Sequence, residues 1–169
     1  DFTEYRISEA LMKLYRLFWD EFSGWYLEMV KPGYRQPTDR ATMDATKAFF
    51  DRLLRTLHPF MPFITEEIWQ HMAPRKDGES ITVAALPAPQ PFDQALLERI
   101  EQLKEAVSSV RNIRKEHNIP NKEALELYVI GDDNYHREYN PLLQKMANLN
   151  RVEEIAEKPS DAAAFIVKT

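Results

Sequence analysis

Four histidines, the adjacent Glu66 and Glu67 and an aromatic helix end are the residues here whose types could do chemistry. His58, His71, His117 and His136 are far apart in sequence, and none stands at a metal-ligand spacing from another histidine or acid. A structural or surface role accounts for each. Glu66 and Glu67 could suggest acid–base work, but adjacent helical residues point about 100° apart and do not converge. Complementing the positive end of a helix dipole explains them better. The chain has no cysteine, which removes disulfides, thiolate zinc sites and cysteine nucleophiles together. A glycine-rich phosphate loop and a recognisable Ser/His/Asp order are absent too. The sequence therefore predicts no catalytic residue and no metal ligand in this stretch.

Binding chemistry is better represented. Phe18, Trp19, Phe22, Trp25 and Tyr26 recur at helical spacing, and core packing accounts for most of them. The end of the same helix carries Trp25, Tyr26, Leu27, Glu28 and Lys31. Apolar faces there can stack on unpaired bases, and a carboxylate can accept from a cytosine amino group. Basic groups gather in two places. Lys31, Arg35 and Arg40 surround the loop after the helix. Arg111, Arg114 and Lys115 share one face at the end of a later helix, beside His117. Two readings fit that second group equally: compensation of a helix C-terminus and phosphate contact. The net charge of -5 excludes an ordinary nonspecific nucleic-acid binder, which gains its affinity by neutralising phosphates. Any nucleic-acid contact must be local and shape-dependent.

Long helices must position these groups. Only four glycines occur in 169 residues, which favours helices over a turn-rich β fold. Ile7, Leu11, Leu14, Phe18, Phe22, Trp25 and Met29 predict one helix over 3–30, with a second apolar edge at Ala10, Leu17 and Tyr26. Lys31-Pro32-Gly33 stops it. Asp39 caps a helix over 39–58 that turns Met43, Phe50, Leu53, Leu54 and Leu57 inward. A third runs over 62–73. Residues 75–92 read as a linker with a short extended piece at Ile81-Thr82-Val83. Asp93 caps a helix over 93–117, with Leu96, Ile100, Leu103, Val107 and Val110 on one face. The period then changes to two: strands are expected at 125–130, 152–155 and 163–168, with a helix over 140–147. The fold class is mainly α, with 1–121 as a helical bundle and 122–169 as a small α/β appendage. No apolar run approaches the roughly 20 residues of a membrane span. The opening Asp1-Phe2-Thr3-Glu4 is no signal peptide, and we read the chain as a piece of a longer one.

Leu57-His58-Pro59-Phe60-Met61-Pro62-Phe63-Ile64-Thr65-Glu66-Glu67-Ile68-Trp69 joins two helical patterns through two prolines. A proline inside a helix costs about 3 kcal/mol or more, so the chain must bend here. This stretch resembles the kinked helix of the anticodon-binding domain in class I aminoacyl-tRNA synthetases that handle aliphatic amino acids. Phe18-Trp19-Asp20-Glu21-Phe22-Ser23-Gly24-Trp25-Tyr26-Leu27-Glu28 resembles the preceding helix of that domain. Val110-Arg111-Asn112-Ile113-Arg114-Lys115-Glu116-His117-Asn118-Ile119-Pro120 is similar to the valine-specific members rather than the isoleucine or leucine ones. The motifs stand in the family's order, and the resemblance covers nearly the whole chain.

The resemblance implies a bundle that binds the anticodon stem-loop of a valine tRNA, with catalysis, ATP and magnesium belonging to a domain upstream and no cofactor here. It implies a first bundle helix before Asp1, a coiled coil after Thr169, and a cytoplasmic location. Leu27 would pack on a base and Glu28 would hydrogen-bond to one. Trp25 and Tyr26 fall in the same motif but belong to the core. Ser23-Gly24 departs from the family's Cys-Asp, which weakens any role for those two positions. The absent first helix would leave an apolar face through which the chain self-associates. A helical interaction bundle with no RNA role is the alternative.

Overall fold

The computed structural model describes residues 2–131, 135–160 and 162–167. It is mainly helical and divides into two compact units, Asp1–Gln90 and Pro91–Thr169. The sequence places the boundary after 121 instead. The helix at Gln94–Glu116 shares its unit with the α/β elements that follow it, for a reason given below.

In the first unit a short 3-10 turn, Phe2–Glu4, precedes helix α1, Ile7–Arg16. The two are separated by Tyr5, whose φ of 57° is left-handed, so the helix does not begin at residue 3 as expected. The chain then widens into a π-helical segment, Leu17–Tyr26, and closes as α2, Leu27–Val30. Helix α3, Arg40–Leu57, is capped by Asp39, whose carboxylate accepts from the Thr42 N–H at 2.8 Å. Bonds from the Thr42 side chain and backbone hold the Asp39 carboxyl below the usual range.

The two prolines break the chain between α3 and α4, Pro62–Met72, with Pro62 in the first turn where its missing N–H costs nothing. The corner is tied from several sides. His58 Nδ1 meets Thr65 Oγ1 at 2.7 Å and its Nε2 meets Thr82 Oγ1 at 3.2 Å. The Trp69 indole N–H donates to Asp51 at 2.7 Å, and Asp51 pairs with Arg55 at 2.6 Å. Arg75 lies 3.4 Å from the centroid of the Trp69 ring.

Ile81–Val83 forms a 3-10 turn instead of the expected extended piece. Its Ile81 is buried with Leu54 and Trp69, and Phe50, Ile68, Met72 and Ala84 pack against them. Glu66 reaches across to this turn. It accepts from the Ser80 hydroxyl at 2.6 Å and the Ile81 N–H at 3.1 Å, and from Gln70 at 2.6 Å. This explains Glu66 better than the dipole, which the sequence invoked: it is the clamp of a loop. Bonds from Gln70 and Ser80, aided by the Ile81 N–H and nearby His58, hold its carboxyl below the usual range.

The second unit contains α5, Gln94–Glu116, strand β1, Leu125–Val129, helix α6, Asn140–Ala147, and strand β2, Leu149–Glu154. The strands pair in parallel, as a helical crossover requires. Residues 162–167 join no sheet, so the strand expected at 163–168 does not form there; residue 168 lies outside the described part.

Arg114 is the centre of this unit. It is only 3% exposed, and its guanidinium donates to the carbonyls of Pro120, Glu123, Ala147 and Asn148 at 2.7 to 3.2 Å. Two of those carbonyls close α6, where the helix dipole is negative. Arg111 adds a bond to the Met146 carbonyl at 3.1 Å. Two arginines of α5 thus satisfy the end of α6, which is why α5 and the α/β elements form one unit.

Arg114→Ala leaves four carbonyls without this donor. We expect a loss of at least about 3 kcal/mol, since each charged bond is worth roughly 1.5–3, measured by denaturant unfolding of the chain. Glu66 predicts a pH effect. Its folded pKa is depressed, so its stabilisation is present above the ordinary glutamate value of 4.5 and is lost as pH falls below it. Thermal melts of wild type and Glu66→Gln should differ at neutral pH and converge as the pH falls from 4.5 through the lowered value of the folded carboxyl.

Candidate nucleic-acid interface

The predicted base-reading residues lie where the first long helix ends, and an aromatic cluster fixes how they emerge. Phe18, Phe22 and Tyr26 are spaced four apart. In a helix of 3.6 residues per turn that spacing drifts around the axis. The wider π turn keeps the three on one line; the Leu27 N–H bonds back to the Phe22 carbonyl, five residues earlier.

Phe22, 4% exposed, is the hub. Its ring stacks on Phe50 at 5.6 Å and on Tyr26 at 5.6 Å, and meets Phe49 at 5.4 Å. Phe18 packs on Phe50 at 6.0 Å, and Tyr26 on Phe49 at 5.8 Å. The Tyr26 hydroxyl pairs with Thr46 Oγ1 at 3.0 Å. Tyr26 therefore belongs to the core.

This line replaces the one expected from a strict 3.6 period. Ile7 and Leu11, placed inward by the sequence, are 52% and 36% exposed. With Met12, Tyr15 and Trp19 they form an exposed apolar stripe, on which the Tyr15 and Trp19 rings stack at 6.4 Å. Met43 and Leu96, also placed inward, lie at the surface. A π segment leaves no signature in hydrophobic spacing beyond the regular step of four.

At the helix end, Leu27 and Trp25 are half-buried, while Glu28 and Lys31 are exposed and face each other at 3.4 Å. An exposed pair of this kind contributes about 0–1 kcal/mol. This pair therefore holds Glu28 only weakly against another partner. Lys31 ends the helix, its N–H bonding to the Leu27 carbonyl at 2.9 Å. Arg35 follows in an exposed loop, its guanidinium 5.1 Å from the Tyr34 ring centroid.

Leu27, Glu28, Lys31 and Arg35 thus belong to one helix end and the loop after it, in the first unit. Arg111, Arg114 and Lys115 belong to the second. Arg114 is not a phosphate contact: it is buried and committed to carbonyls. Lys115 remains exposed, and Arg111 bonds to the α6 terminus. Compensation of helix ends, the plainer of the two readings, accounts for Arg114. Sequence reasoning passed over Tyr34; an aromatic residue between Gly33 and Pro37, in a loop with no apolar neighbours, was the available signal.

Among the described residues, no group of three His, Asp or Glu side chains could hold a metal ion, and no helix is long and apolar enough to cross a membrane.

A profile of the family described as "Anticodon-binding domain of tRNA ligase" matches residues 1–129. The chain belongs to this family. It is 55% identical over 168 residues to a protein of Parabacteroides distasonis named valine–tRNA ligase. Proteins of that name from Porphyromonas gingivalis and Dechloromonas aromatica are 45% and 34% identical. These alignments cover 99%, 99% and 96% of this chain but 19%, 19% and 18% of the relatives. The chain thus spans about a fifth of the curated relatives it matches. The match to residue 129 runs past the first compact unit and through α5 and β1.

Proposed function

We propose that this anticodon-binding domain belongs to a valine–tRNA ligase and reads the anticodon stem-loop of its tRNA with the end of the first long helix. The parent chain, through its other domains, attaches valine to that tRNA with ATP in the cytoplasm, and this domain supplies recognition without catalysis. The observation that carries the reading is the helix end that presents exposed Glu28 and Lys31 beside half-buried Leu27, on an aromatic base, within a chain matched along 99% of its length by valine–tRNA ligases.

Each residue has a role its chemistry allows. Leu27 offers an apolar face to an unpaired base. Glu28, released from Lys31, accepts from an exocyclic amino group. Lys31 and Arg35 neutralise phosphate, and Lys115, in the second unit, is a third cation of this kind. The net charge of -5 keeps the contribution of nonspecific attraction small and leaves discrimination to these contacts.

The exposed stripe Ile7, Leu11, Met12, Tyr15 and Trp19 supports a second property. In the parent chain we place another segment against it; on its own, the chain associates with itself through this face.

In the parent ligase, Leu27→Ala with Glu28→Ala should lower kcat/KM for charging valine tRNA tenfold or more, since a stacked base contributes roughly 1–3 kcal/mol; unchanged kinetics would disprove the site. For the isolated chain, sedimentation should show concentration-dependent association that Leu11→Lys with Tyr15→Lys abolishes. A strictly monomeric profile for the wild type would contradict the second property.

A further inference from the structure

We propose that Tyr34, steadied by Arg35, is a stacking platform for an unpaired base of the RNA loop that the neighbouring helix end reads. The proposal rests on the anticodon-binding reading of Leu27, Glu28 and Lys31 and extends it to a residue outside the helix.

Three observations converge on this dipeptide. First, Tyr34 is 87% exposed, although its ring is large and apolar. Phe22 and Tyr26, the aromatics nearest the helix end that face α3, are packed against it, whereas Tyr34 has no such packing and stands in the loop beyond. Second, the Arg35 guanidinium lies 5.1 Å from the Tyr34 ring centroid. That contact restrains the ring in a loop and leaves most of its surface open to a planar partner.

Third, the backbone is strained to achieve it. The Gln36 N–H bonds to the Gly33 carbonyl at 2.9 Å, which makes Tyr34 and Arg35 the two central residues of a turn. Arg35 has φ of 62°, at the position where a turn of this hand ordinarily takes glycine or asparagine. Glycine stands two residues earlier, at Gly33, where φ is not positive. The strained position instead carries a long cation. Strain of this kind persists where the side chain is used.

The occupant follows from the chemistry. A tyrosine ring with a cation over one face keeps its other face for an aromatic ring attached to an anion. A nucleotide is such a group: its base stacks on Tyr34 while its phosphate meets Arg35 and Lys31. Stacking alone tolerates any base, so Tyr34 supplies affinity and holds the loop open, and Leu27 and Glu28 supply selection. Single-stranded loops are the RNA elements whose bases can be splayed out in this way.

The test uses the full parent ligase and measures tRNA affinity directly. Tyr34→Ala should weaken binding of valine tRNA about fivefold or more, by the usual range for one stacked base. Tyr34→Phe, which keeps the ring, should bind like wild type. Neither should change affinity for an acceptor-stem minihelix that has no anticodon arm. Arg35→Gly should raise the melting temperature by relieving the positive φ, yet weaken tRNA binding and lower its salt dependence by about one counterion. Wild-type affinity in Tyr34→Ala, or equal losses on tRNA and minihelix, would overturn the platform. If Tyr34→Ala is silent while Leu27→Ala with Glu28→Ala weakens binding, only the platform fails. If all are silent, the anticodon reading of this helix end fails with it.

Discussion

The packing of Phe22 against Phe49 and Phe50 sets everything that the first unit presents to a partner. It fixes the rotation of the first long helix on α3, and with it the direction in which Leu27, Glu28 and Lys31 leave that helix. Aromatic rings at steps of four drift around an ordinary helix, and the widening of the π segment Leu17–Tyr26 reduces that drift. The weaker geometry of π bonds is offset by aromatic burial, which is worth most where the rings are large and enclosed. The same change of pitch turns Ile7 and Leu11 out of the core and leaves the apolar stripe beside it.

The double-proline corner is architecture of a different kind. Pro59 and Pro62 do not merely kink a helix; they separate α3 from α4. The cost is met by side chains that lock the break, with His58 bridging Thr65 and Thr82, and Glu66 holding Ser80 and Ile81. Both His58 and Glu66 look like chemistry in the sequence. Each is instead a fastener between the corner and a loop that follows it. Arg114 teaches the same lesson in the second unit. A cation at a helix end fits a phosphate ligand and a helix-end partner equally until its burial and its four carbonyl partners are seen.

Local signals made the helices legible. Asp39 and Asp93 cap as their sequence positions suggest, and Pro62 opens its helix in the first turn. These are one-turn effects, decided by residues within reach of each other. The strand at 125 is equally local, since its alternation is written in five residues. The π widening, the division of units before α5, and the commitment of Arg114 depend on partners far along the chain, which no window of the sequence contains. The absent strand after 162 belongs here too, because alternation supplies a strand's faces but not its neighbour. For the site, the motif placed Leu27, Glu28 and Lys31 at one helix end, and the structure puts Glu28 and Lys31 at the surface there. Tyr34 carries only a faint signal in the sequence, an aromatic in a glycine–proline loop, and its exposure and the backbone of Arg35 give it weight.

The central claim is that the Leu27–Glu28 helix end contacts the anticodon itself. A thermodynamic cycle tests it most directly. Binding of the parent ligase and its Leu27→Ala, Glu28→Ala variant is measured against valine tRNA and the same tRNA with its anticodon replaced. The account predicts strong coupling: the anticodon replacement weakens the wild type tenfold or more but barely affects the variant. If replacement weakens both proteins by the same factor, the residues and the anticodon act independently, and the claim is wrong.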